Sequence, residues 1–172
     1  MYLMSIIQLN NNLIDWFNDT EHSATYTFEH DGSILVPSAF GDLCLRLTRT
    51  LESLYQVAVT DKKQLNEVIF STTDLPTAEN YIKFIVTRKV NPDYLNNYDP
   101  NETLPRCASS RFLQQGTHLQ GKLYNSVSWI SDNERKTVYF RASNHNDLRI
   151  HNHIMKYVKY VEDSLSSSKE QG

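Results

Sequence analysis

The residues of this chain with chemistry within reach are its histidines and a group of arginines in the second half. His145, His151 and His153 crowd the stretch ASNHNDLRIHNHIMK, Arg141 precedes them, and His118, Arg106 and Arg111 lie upstream. Histidine titrates near neutrality, and fixed cations stabilise charge on a phosphate, so the set suits metal-independent phosphodiester cleavage. In that reading His145 and His118 are the catalytic pair, and Arg106, Arg111, Arg141 and Arg149 bind the anion. The competing reading is structural: Arg141 pairs with a carboxylate, His145 helps to cap a following helix, and His151 flanks a core.

A metal site is not expected. On a helix His151 and His153 stand ~200° apart, so one ion cannot take both from one face. Cys44 and Cys107 are remote from them and from each other, which points to a reducing compartment and not to a disulfide framework. Cys107, beside Arg106, has no histidine tied to it in sequence. No phosphate-cradling glycine loop, nucleophile elbow or H-E-x-x-H motif occurs, and no cofactor is expected.

Charge gives the third clue. Up to Glu102 seven Lys/Arg face fourteen Asp/Glu, a balance of −7; from Thr103 to Tyr160 nine face three, a balance of +6. The whole chain of 172 residues carries −3. Arg106, Arg111, Lys122, Arg135, Lys136, Arg141 and Arg149, interleaved with Tyr124, Trp129 and Tyr139, have the composition of a nucleic-acid or nucleotide surface. The sequence pI of about 6.0 is not that of a general nucleic-acid binder. The acidic first half is itself a candidate recognition face for a protein.

These residues need elements to position them. Length and a 40% hydrophobic content suit one ordinary globular domain. Ile6, Leu9, Leu13 and Phe17 recur at helical spacing and predict a helix over 5–18. Asp31-Gly32, between ATYTFEH and SILVP, predicts a two-residue hairpin turn with Phe28 opposite Leu35, the second strand ending at Pro37. Phe40, Leu43, Cys44, Leu47, Leu51, Leu54 and Tyr55 form one stripe and predict a long central helix capped by Ser38, with Leu45 off the stripe. Val57–Val59 reads as a short strand, and Asp61 as the cap of a short helix through Leu65, Val68 and Ile69. Residues 77–89 suit helix or strand, and Pro76 tilts them to helix.

From 91 to 115 periodicity fails, and three prolines make a long loop anchored by Tyr94, Leu95 and Tyr98. Lys122–Ser131 and Lys136–Ala142 then form a second hairpin around DNER. A last helix runs to about Ser166, burying Ile150, Ile154, Val158, Val161 and Leu165.

The expected fold is therefore α+β. An antiparallel sheet is built from two hairpins, with an N-terminal, a long central and a C-terminal helix packed on it. It forms one domain over 1–163, followed by a flexible polar tail over 164–172. The N-terminus MYLMSIIQLNNN is neither a signal peptide nor a membrane span, so the cytoplasm is the expected location, with no membrane partner. The leading functional expectation is a binding or adaptor protein whose basic C-terminal half engages nucleic acid or a nucleotide. A metal-independent ribonuclease comes second, and a protein-interaction or inhibitor module without nucleic-acid binding third.

Overall fold

A computed structural model describes residues 15–16, 26–29, 32–50, 53–61, 67–95, 112–119, 121–142 and 148–170, apart from the side chains of 148–149 and 166–170. The chain divides into two compact units, Met1–Asp93 and Tyr94–Gly172.

The first unit holds β1 (Thr27–Phe28), β2 (Ile34–Pro37), β3 (Cys44–Arg49), β4 (Tyr55–Thr60), β5 (Glu67–Thr72) and helix α1 (Leu75–Arg88). Each strand pairs antiparallel with the next. Alternation decides the buried face. Leu47 lies opposite Ile34 on one side and Val57 on the other, while Leu45 lies between Val36 and Val59. All six are buried. Helix α1 lays Tyr81 flat on Phe70 of β5, ring centroids 4.0 Å apart.

The long central helix does not exist. Its residues form β3, the start of β4 and the turns around them. Gly41 (φ +58°) and Ser53 (φ +62°) bend the chain where a helix would have continued. Between them Leu45 and Leu47 alternate with Arg46 and Thr48, and both leucines are 0% exposed. Leu45, off the helical stripe, was the residue that separated period 2 from period 3.6. Arg46 donates from Nη1 to the Ser33 hydroxyl at 2.9 Å, a contact across the β2–β3 pair.

The first hairpin is present with a different turn. Glu29 N–H donates to Ser33 O at 2.9 Å and Gly32 N–H to Glu29 O at 3.1 Å. Gly32 sits at φ +85°, which makes a three-residue loop closed by a left-handed glycine. The extra residue moves the register by one, so Phe28 faces Ile34 and not Leu35. Thr50–Leu54 repeats this device with Ser53 in the left-handed position.

Val68 and Ile69 belong to β5, not to a helix capped by Asp61. Residues 77–88 are helical. Asp74 is the cap, accepting from Thr77 N–H at 3.2 Å, with Pro76 in the first turn, where a missing N–H costs nothing. The helix leaves through Lys89 at φ +52°. The predicted N-terminal helix lies outside the described residues except for Asp15 and Trp16; Lys83 lies over the Trp16 ring at 5.9 Å.

The second unit is a three-stranded meander, β6 (Leu113–Leu119), β7 (Lys122–Ser131) and β8 (Glu134–Arg141), with helix α2 (Leu148–Glu170). Asp132 and Asn133 alone, at φ +52° and +65°, form the β7–β8 turn. Two consecutive positive φ values make it the tight turn whose twist matches the strands. Glu134 and Arg135, expected in the turn, open β8 opposite Ser131 and Ile130. Val127, Trp129, Val138, Phe140 and Ala142 form the buried side, joined by Ile150, Ile154, Tyr157, Val158 and Val161 of α2. Helix α2 extends past Ser166 to Glu170, and Leu165 is only half-buried. Residues 96–111 of the expected loop lie outside the described residues; Tyr94 and Leu95 are buried, and β6 begins at Leu113, inside the stretch expected to be loop.

Candidate interaction surface

Strand register sorts the side chains of the second unit onto two faces. Val127 of β7 lies opposite Val138, and Asn125 opposite Phe140, so this face carries the core. Gln114, Gly116 and His118 of β6 align with Val127, Asn125 and Leu123 on the same side. The other face carries Leu113, Gln115, Thr117 and Leu119 of β6. Beside them stand Lys122, Tyr124, Ser126, Ser128 and Ile130 of β7, and Arg135, Thr137, Tyr139 and Arg141 of β8.

Of the predicted catalytic and anion-binding residues, two have described side chains. His118 is exposed on β6, on the core-side face. Arg141 ends β8 on the opposite face and faces Tyr124. The two do not converge. Arg141 Nη1 donates to the Leu123 carbonyl at 2.9 Å and to that of Ala142, and its guanidinium lies 5.8 Å from the Tyr124 ring centre. It holds the strand ends together through backbone carbonyls, where the sequence suggested a carboxylate partner. His145, Arg106 and Arg111 lie outside the described residues, and Arg149 is in the first turn of α2 with its side chain outside them.

His151 and His153 stand on opposite sides of α2, as their spacing requires, but it is His153, and not His151 as expected, that meets the core. His151 is exposed, whereas His153 is buried beneath Tyr94, ring centroids 4.3 Å apart, and edge-on to Phe140. Burial, with the Lys156 charge adding, pushes its pKa down from 6.5 to about 3. Buried and so weakened as a base, His153 is a core group and is poorly suited to general base catalysis. Tyr94 extends the cluster by donating its hydroxyl proton to Arg141 O at 2.7 Å. Cys44 is half-buried on β3; burial first and Asp42 second push its thiol pKa up, which disfavours the nucleophilic thiolate. Among the described residues no three of His, Cys, Asp and Glu gather into a possible metal site.

The basic-aromatic set is partly assembled. Lys122, Tyr124, Arg135, Tyr139 and Arg141 share one face, while Trp129 and Lys136 point to the other. Tyr124, however, is only 2% exposed and offers no ring for a base to stack on.

What the sequence did not single out is β6. It carries no Asp, Glu, Lys, Arg or Pro, and Leu113, Gln114, Gln115, Gly116 and His118 are all exposed. It pairs with β7 and with no other described strand. Leu113 is 60% exposed and faces Ser128; Ile130, 53% exposed, stands two residues further along β7 on the same side. The fragment LQQGTHL alternates no hydrophobic face, which hid it from a periodicity search; the signal available was its lack of charge and proline.

No helix among the described residues is long and apolar enough to cross a membrane. No family model matches the chain, and comparison with curated proteins finds no match. Among solved structures it is similar to Rv3902c from M. tuberculosis, with a TM-score of 0.54 and 12% identity over 93% of this chain and 86% of that one. At that identity the likeness is one of fold.

Proposed function

We propose that this chain is a non-enzymatic protein-interaction module, an adaptor or inhibitor working in the cytoplasm, whose partner seats on the β6 edge. The observation that carries the reading is the exposed, uncharged β6 with the Leu113–Ile130 pair beside it. Natural edges are commonly blunted by charge, proline or shortness, and a seven-residue strand with none of these is a template for strand addition. An exposed Leu and Ile side by side add an apolar anchor of the kind found at interface centres.

The nucleic-acid reading keeps one specific support, the shared face of Lys122, Arg135, Tyr139 and Arg141. It ranks second because Arg141 Nη1 is engaged by two carbonyls and Tyr124 is covered. The ribonuclease reading ranks third, because the one predicted pair with described side chains, His118 and Arg141, lies on opposite faces.

The test is chemical crosslinking in the source cell, identification of the crosslinked protein, and titration of that purified protein against the full chain. Leu113→Asp with Ile130→Asp is expected to weaken binding by two orders of magnitude or so, since losing a buried anchor costs ~2 kcal/mol or more. Arg135→Ala should change it little. Undiminished affinity in the double variant would remove β6 from the proposal.

A further inference from the structure

We infer that the β6 edge pairs with the β6 edge of a second copy of this chain, antiparallel about a twofold axis at Gly116. The inference rests on the interaction reading above and names a partner for the same edge. It begins with which backbone groups point outward. Leu119 lies opposite Lys122 across a two-residue connection, with Gly121 at φ +75°. The closing pair of a two-residue hairpin exchanges both its hydrogen bonds. With a period of 2, the backbone N–H and C=O of Leu119, Thr117, Gln115 and Leu113 then point to β7, and those of Gln114, Gly116 and His118 point away from it.

A twofold axis between identical antiparallel strands must pass beside a residue that faces its own copy, and isologous contacts must be self-complementary. LQQGTHL meets both conditions at its centre. Gly116 is one of the outward-bonding residues, so it exchanges both bonds with its own copy. Gln114 then exchanges both with the copy's His118, and His118 with the copy's Gln114, which completes a ladder across the axis. On the other face Leu113 meets the copy's Leu119, Gln115 meets Thr117, and leucines close both ends. No charged residue of the strand opposes its like. Glycine at the centre fits close approach of a second backbone, the positional meaning of a glycine inside a strand. An axis on Gln115 or Thr117 would also leave a bonded ladder, because the residue on the axis then forms a non-bonded pair, but there, as on Gln114 or His118, the match of leucines is lost.

The test uses the full chain and two charge variants. Gln114→Lys with His118→Lys sets lysine opposite lysine at two symmetric places, while Gln114→Lys with His118→Glu sets lysine opposite glutamate. Analytical ultracentrifugation over a concentration series should show a dimer for the natural chain, and a dissociation constant raised roughly tenfold for the Lys/Lys variant. The Lys/Glu variant should restore the dimer, and thermal melting should show that both variants fold. Equal dissociation constants for the two variants would overturn the register. A natural chain that stays monomeric throughout would overturn self-pairing, and amide exchange then separates the two readings. Fast exchange at Gln114 and Gly116 would leave the edge open to a different protein, whereas protection there in a monomer would remove β6 as a docking edge altogether.

Discussion

His153 shows how one residue can be read two ways. In a stretch with His145 and His151 it resembles part of a reactive cluster; in the structure it is a ring under Tyr94 and beside Phe140. Its cost appears with pH. Its folded pKa of about 3 lies below the ordinary 6.5, so the unfolded chain takes up the proton first. This group's stabilisation is whole above pH 6.5 and erodes as pH falls, by up to about 1.4 kcal/mol per pH unit, until the folded form protonates near 3. His153→Phe keeps a ring for Tyr94 and has nothing to protonate. We expect the drop in melting temperature between pH 7 and pH 5 to be smaller in that variant; an unchanged drop would mean that other groups carry the acid sensitivity. Arg141 teaches the same lesson: a cation in a basic stretch, it holds the carbonyls of Leu123 and Ala142.

At the scale of elements, the most legible was the closing helix. Ile150, Ile154, Val158 and Val161 repeat at helical spacing, and all four are buried. Val158→Asp should therefore abolish stable folding, because it places an unpaired charge in an apolar core. Lys159, half-exposed and 3.0 Å from Asp163 four residues on, provides the contrast. Lys159→Ala should cost no more than about 0.5 kcal/mol, the usual worth of such a helix pair. Circular dichroism of both variants checks the claim, and a folded Val158→Asp protein would assign the wrong face to α2. The second hairpin was legible too, because Val138, Phe140 and Ala142 alternate with Thr137, Tyr139 and Arg141. The central segment was not. Its leucines satisfy both periods, and only burial of Leu45 and Leu47 on a shared sheet face separates them. Strand β6 was invisible for the opposite reason, having no apolar period at all.

At the scale of the whole molecule, charge suggests a partner without securing one. Residues 1–93 carry seven Lys/Arg against twelve Asp/Glu, and 94–172 carry ten against eight, so the units stand at −5 and +2. A surplus of two is a weak electrostatic footprint for a polyanion. Fluorescence anisotropy with single- and double-stranded RNA and DNA at low salt should show no binding. If binding appears and falls steeply with salt, counterions are being released from phosphates, and the nucleic-acid reading takes first place.

Local pattern alone was enough for what depends on neighbours in the chain. The strands of the second hairpin, the closing helix, the end of β2 at Pro37 and the separation of His151 from His153 to opposite sides of α2 all follow from periodicity and from proline's missing donor. Which histidine meets the core does not. Tertiary structure decided what depends on partners distant in sequence. Leu45 became core because Val36 and Val59 flank it, the first hairpin slipped by one residue as its loop closed on Gly32, and Arg141 and His118 parted because pleating sends them to opposite faces. A residue's own spacing cannot encode which strand will lie beside it, and that pairing determines whether a side chain is buried, bonded or presented.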